Sequence, residues 1–162
     1  MANRIYLICA ESTPIAYGQI VDQMGHMGFL DNPARFEPEL REDNKGDTHW
    51  SAFELHYRPD AEPITVEQIG DRDELQVVIA ELREKLDDES ASSLRASLSG
   101  RLSAAAHGLI LELPDELPDD VWEMLDATEG YVAEICNGLI FAHEGVFDSN
   151  LQLVLRWSKP GI

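Results

Sequence analysis

Asp71 and Glu74 stand in capping-box spacing ahead of Leu75, Val78, Ile79, Leu82 and Leu86, which recur every three or four residues. Such a segment forms an amphipathic helix, and the helix needs a second layer to cover its apolar stripe. Short β-rich runs supply that layer. Residues 4–9 are one, and Leu109 to Leu113 is a nearly unbroken apolar run suited to a buried strand. From Thr48 to Arg58 the pattern alternates, with Phe53, Leu55 and Tyr57 on one face and Glu54, His56 and Arg58 on the other, as in a half-buried strand. Pro59 to Pro63 turns the chain into a second, hairpin-related strand, Ile64 to Ile69.

Elsewhere, Thr13 and Pro14 suit the cap and first turn of a helix that carries Ala16, Ile20, Met24 and Met27 and stops at Gly28. Residues 31–47 combine Pro33 and Pro38 with many charges and no period, so they read as a long loop with a short helical turn near Pro38 to Arg41. Loops of that length are often functional or mobile. The Ser/Ala-rich segment 89–107 keeps Leu94, Leu98 and Leu102 at four-residue spacing, which gives a helix weakened by Gly100 or else a flexible linker. Pro118 opens a helix to about Thr128 that Gly130 ends. Tyr131 to Cys136, the Asn137-Gly138 turn and Leu139 to Ala142 carry the strongest hairpin signal, and Leu151, Leu153, Leu155 and Trp157 alternate in a final strand.

These elements predict a single α+β domain over residues 1–162, a mixed or antiparallel sheet with helices packed on one side. The strand, helix, strand, strand order occurs twice. It allows two similar βαββ halves, 1–88 and 108–162, joined by the segment 89–107.

Charge narrows the function. The 162 residues hold 12 Lys plus Arg against 31 Asp plus Glu, a formal net charge of -19, and 44% of them are hydrophobic, too many for a disordered acidic tail. Phosphate binding is driven by Lys and Arg displacing counterions, so no nucleic-acid partner is expected. No membrane partner is expected either, because anionic surfaces repel such a chain and no stretch approaches about 18 apolar residues. The apolar run after Arg4 is shorter than a signal peptide's hydrophobic region, which points to a cytosolic protein. Cys9 and Cys136 lie far apart, resemble neither a secreted disulfide framework nor a zinc site, and read as buried structural thiols.

The charge is also segregated. From Leu102 to Leu155 there is no Lys or Arg, while Glu112, Asp115, Glu116, Asp119, Asp120, Glu123, Asp126, Glu129, Glu134, Glu144 and Asp148 are all acidic. At about 100° per residue, Glu116, Asp119, Asp120, Glu123 and Asp126 fall on one side of the predicted helix, opposite Val121, Trp122, Leu125 and Thr128. A solvated face is the simplest account, with the early acids favouring the positive end of the helix dipole. Against it stands the lack of interspersed Lys or Arg, which ordinary solvated helices use to relieve repulsion. The expectation is a non-enzymatic interaction protein for a basic protein partner, in the manner of an inhibitor or immunity protein that occludes a cationic groove. Asp115, Glu116, Asp119, Asp120, Glu123 and Asp126 are its docking residues, and Trp50 is either its exposed aromatic anchor or a core residue packed under the 31–47 loop.

Other chemistry has less behind it. Glu54 and His56 share a strand face beside Arg58, a pair for acid/base or metal work or simply polar neighbours; His49 and His56 point to opposite faces and cannot share a metal there. Cys9 sits where a strand gives way to a helix whose N-terminus lowers a thiol pKa. The alternative is therefore a small enzyme or ligand-binding protein with its site near Cys9/Thr13 or Glu54/His56. No GxSxG, HExxH or GxGxxG motif occurs, and no catalytic residue, metal or cofactor is assigned. Trp122 and Trp157 are expected in the core. A third reading is a homodimer in which the final strand, Leu151 to Trp157, pairs with its copy.

Overall fold

The structure is a computed structural model that describes residues 3–26, 34–89 and 93–162. Along the chain run β1 (Asn3–Cys9), α1 (Tyr17–His26), β2 (Arg35–Glu37), β3 (Ala52–His56), β4 (Ile64–Ile69), α2 (Arg72–Asp87), α3 (Ser93–Ser103), β5 (His107–Leu113), α4 (Asp119–Cys136), β6 (Gly138–Phe141), β7 (Gly145–Phe147) and β8 (Leu153–Arg156). The strands form one antiparallel sheet in the order β2-β3-β4-β5-β1-β6-β7-β8, which confirms the α+β class and selects the antiparallel form.

Whether a strand is apolar on one face or on both decides where helices must lie. β1 is buried from Ile5 to Cys9, and β6 along its whole length. Ile5, Leu7 and Cys9 join one core cluster with Leu109, Leu111 and Ile140, while Tyr6, Ile8, Ile110, Leu139 and Phe141 join another. Two apolar faces need two covers. From α1 and α4, Ile20, Met24, Val121 and Leu125 pack into the first cluster, and from α2 and α3, Leu75, Ile79, Leu82, Leu98 and Leu102 pack into the second. Packing of helices on one side only is thus corrected, because the central strands lack the polar alternation that would leave a face for water. The outer strand β3 keeps that alternation, burying Phe53 and Leu55 and leaving Glu54 and His56 partly exposed.

Residues 93–103 are helical rather than linker, and Leu98 and Leu102 pack among the apolar residues of α2. The remainder of the predicted segment at 90–92 lies outside the described residues, as do Met27 and Gly28, the expected end of α1, and residues 31–33 of the predicted loop. Much of that loop is structural. Arg35–Glu37 forms β2 against β3, and further on the Asp47 and Lys45 carbonyls accept the Tyr17 and Gly18 N–H groups at 2.8 and 2.9 Å. These are donors that the first turn of α1 would otherwise leave unpaired. Gly18 is needed for that approach, since a Cβ there would stand 2.7 Å from the Lys45 carbonyl oxygen.

A second correction concerns the segment after Pro118. Gly130 does not end α4, which continues to Cys136, and Asn137, at φ 49°, is its left-handed cap instead of the first residue of a hairpin turn. Asn-Gly suits both roles because both require positive φ. The helical spacing of Val132, Ala133 and Cys136, all buried, decides between them. The longer helix brings Cys136 to the end of β1, where it is joined to Cys9 in a disulfide with Cα atoms 5.2 Å apart. The two cysteines are buried as expected, but they are not separate thiols. Trp157 is buried as expected, its Nε1–H donating to the Ala142 carbonyl at 2.8 Å.

Candidate functional site

The acidic surface is built on α4. Burial of Val121, Met124 and Leu125 against the sheet leaves Asp119, Glu123 and Asp126 exposed, and Asp115 and Glu116 are exposed in the segment leading into the helix. Asp120 is turned aside and half-buried, and both of its carboxylate oxygens accept from Arg58 Nη2 at 3.2 Å. The fold therefore delivers to α4 a cation that the surrounding sequence lacks.

Trp50 lies elsewhere, which corrects its assignment as an exposed anchor. It is buried, its Nε1–H donates to the Ile15 carbonyl at 2.9 Å, and its ring packs near Tyr17 and Phe53. Trp122, expected in the core, is 37% exposed. The reason is geometric: once α4 extends to Cys136, its buried stripe runs through Val121, Leu125, Thr128 and Val132, and Trp122 is left at the margin.

Beside Trp122 is a recess of about 340 Å³, walled by Ile140, Phe147 and Leu151 and containing the carboxyl groups of Asp126, Glu129 and Glu144. Glu129 is only 4% exposed, and its Oε1 has no hydrogen-bond partner. Burial above all, then the neighbouring Asp126 and Glu144, push its pKa well above the ordinary carboxylate range. Burial also raises Asp126, opposed by a hydrogen bond with Glu129. Sequence reasoning passed over Glu129 and Glu144 because a helix ending near Thr128 makes Glu129 a terminal acid; the available signal was the three-residue Asp126–Glu129 spacing within a helix that Val132 and Cys136 prolong.

A second polar group lies at the opposite edge of the sheet. Glu37 of β2 faces Glu54 of β3 across the ladder, and His56 Nε2 is 3.3 Å from Glu54 Oε1 and 3.6 Å from Glu37 Oε2. Among the described residues these three are the group whose ligand atoms lie within 4.8 Å of one another, a set able to hold a divalent cation. Arg35 already pairs with Glu37 and lowers its pKa, so it competes for the same carboxylate. At the other predicted location, disulfide-bonded Cys9 offers no thiolate. A cleft of about 770 Å³ does open there, reaching from Ser12 to His49, Asp71 and His107. The His107 pKa is lowered by burial, and its Nε2 has no partner.

No helix among the described residues is long and apolar enough to cross a membrane. Comparison of the chain with protein-family models, with curated proteins and with solved structures finds no match in any of the three.

Proposed function

We propose that this chain is a binding protein for a basic protein, docking through the exposed acidic face of α4 as an inhibitor or immunity protein does when it fills a cationic groove. The observation that carries this reading is the juxtaposition of exposed Trp122 with Asp119, Glu123 and Asp126 on a helix that has no Lys or Arg. Opposite charge accelerates and orients the encounter, and the indole supplies the desolvated contact that fixes it. Capture of partners from native cell extract, washed at low and then moderate salt, tests it. Wild-type protein retains a basic protein, and the folded Asp119→Lys/Glu123→Lys variant loses it; equal retention by that variant removes the α4 face from the account.

A disulfide persists in oxidising surroundings, which supports an encounter outside the reducing cytosol over the cytosolic setting expected from the sequence. The cleft between Ser12 and His107 supports a second reading, a small-ligand site, and a ligand there would shift the His107 ring resonances. A homodimer draws support from β8, which lies at the edge of the sheet with Leu153 exposed, and solution mass across dilution tests it.

A further inference from the structure

We propose that the recess between α4 and strands β6 and β7 recognises a single alkylammonium or guanidinium group, and that it receives one Lys or Arg side chain of the docked partner. This deepens, and rests on, the reading of α4 as a docking face.

Three features of the recess specify a cation of this kind. Its walls pair aromatic and aliphatic surface, from Trp122, Phe147, Ile140 and Leu151, with the carboxyl groups of Asp126, Glu129 and Glu144, and no basic residue lines it. An aliphatic stem ending in a charge matches both kinds of surface, and an indole face attracts a cation directly. Second, Glu129 Oε1 is buried with no partner, an arrangement folded proteins avoid unless something else satisfies the group. An ammonium brings three donors and a guanidinium five. Third, the geometry disfavours a bare metal ion: the oxygen atoms of Asp126, Glu129 and Glu144 do not all lie within 4.8 Å of one another, unlike the Glu37, Glu54 and His56 group. At about 340 Å³ the recess is at the small end of ligand sites, sized for one side chain.

Charge balance adds a signature. The titratable groups facing Glu129 are Asp126 from its own helix and Glu144 from the turn after β6, while the walls from β1, β6 and β7 are apolar. A cation in the recess favours the ionised form of Glu129, whose pKa burial and then its acidic neighbours raise. Binding therefore strengthens as pH rises, as long as the ligand keeps its own charge.

The test is a titration with Nα-acetyl-lysine methylamide and Nα-acetyl-arginine methylamide, with the uncharged norleucine analogue as control, followed through the Trp122 indole and the amides of residues 122–129. Saturable shifts with a cationic probe and none with norleucine are expected. Glu129→Gln should weaken binding about tenfold, the loss of one charge-assisted hydrogen bond, and should reduce the pH dependence to what Asp126, whose pKa is also raised, contributes. Trp122→Ala weakens it as well. Equal binding of norleucine, or unchanged affinity in Glu129→Gln, overturns the proposal. Asp119→Lys/Glu123→Lys keeps probe binding while losing the basic protein. If wild type captures that protein but takes up neither cationic probe, the recess proposal fails and docking stands. If a probe binds but no basic protein is captured, docking fails, and with it the assignment of the cation to a partner.

Discussion

Cys9, at the end of the central strand, is bonded to Cys136, in the last turn of α4, across 127 residues of sequence. The link fixes the helix that carries the acidic face to the middle of the sheet. By constraining so long a loop in the unfolded chain, it should contribute roughly 2–5 kcal/mol. Urea denaturation with and without reductant checks this: the reduced protein, and the Cys9→Ala/Cys136→Ala variant, should unfold at lower urea by similar amounts.

Two buried carboxyl groups should pull stability in opposite directions with pH. The Glu129 pKa is raised in the folded state, so its contribution is full below the unfolded pKa, about 4.5, and is lost as pH rises toward the folded value. Glu129→Gln should therefore be more stable than wild type, by a margin that grows above about pH 4.5. Glu89 behaves oppositely. It accepts from the Ser158 hydroxyl at 2.6 Å and the Ser158 N–H at 2.9 Å, which lowers its pKa. Its contribution is present above the unfolded pKa and lost as pH falls, so Glu89→Gln should cost stability at neutral pH and little in acid. Urea midpoints between pH 3 and 8 measure both slopes.

Asn137 adopts φ 49° to close α4, and Gly138 follows with its Cα so near β1 that a Cβ would stand 2.8 Å from the Ile8 carbonyl oxygen. Asn137→Ala should cost about 1 kcal/mol through left-handed strain, whereas Asn137→Gly should be tolerated. Gly138→Ala should cost more than either, because the obstacle is backbone. Thermal unfolding of the three variants ranks them.

Trp50 and Trp122 should separate stability from binding. Trp50→Phe removes a buried hydrogen bond and leaves the Ile15 carbonyl unpaired, a loss of about 1–3 kcal/mol. Trp122→Ala should change stability by less than Trp50→Phe, yet weaken capture of the basic partner. Parallel unfolding and capture measurements check the inversion.

Much of the architecture was legible because it is local. The capping box and stripe of α2, the alternation of β3 and the runs that became β1 and β5 are set by neighbouring residues, and they yielded an α+β sheet protein with an acidic segment after β5. Even the two-sided covering of the sheet was implicit in the apolar runs Ile5 to Cys9 of β1 and Leu109 to Leu111 of β5. What the sequence left open depended on contacts between distant segments. Asn137-Gly138 fits a hairpin or a helix end equally well, and only packing of Val132 and Cys136 against β1 selects the helix. That choice rotates Trp122 outward, buries Glu129, joins Cys9 to Cys136 and creates the recess. Arg58 likewise meets Asp120 only because β3 and α4 share one face of the fold. Periodicity reports which residues want burial, whereas tertiary packing decides which polar groups are buried with them.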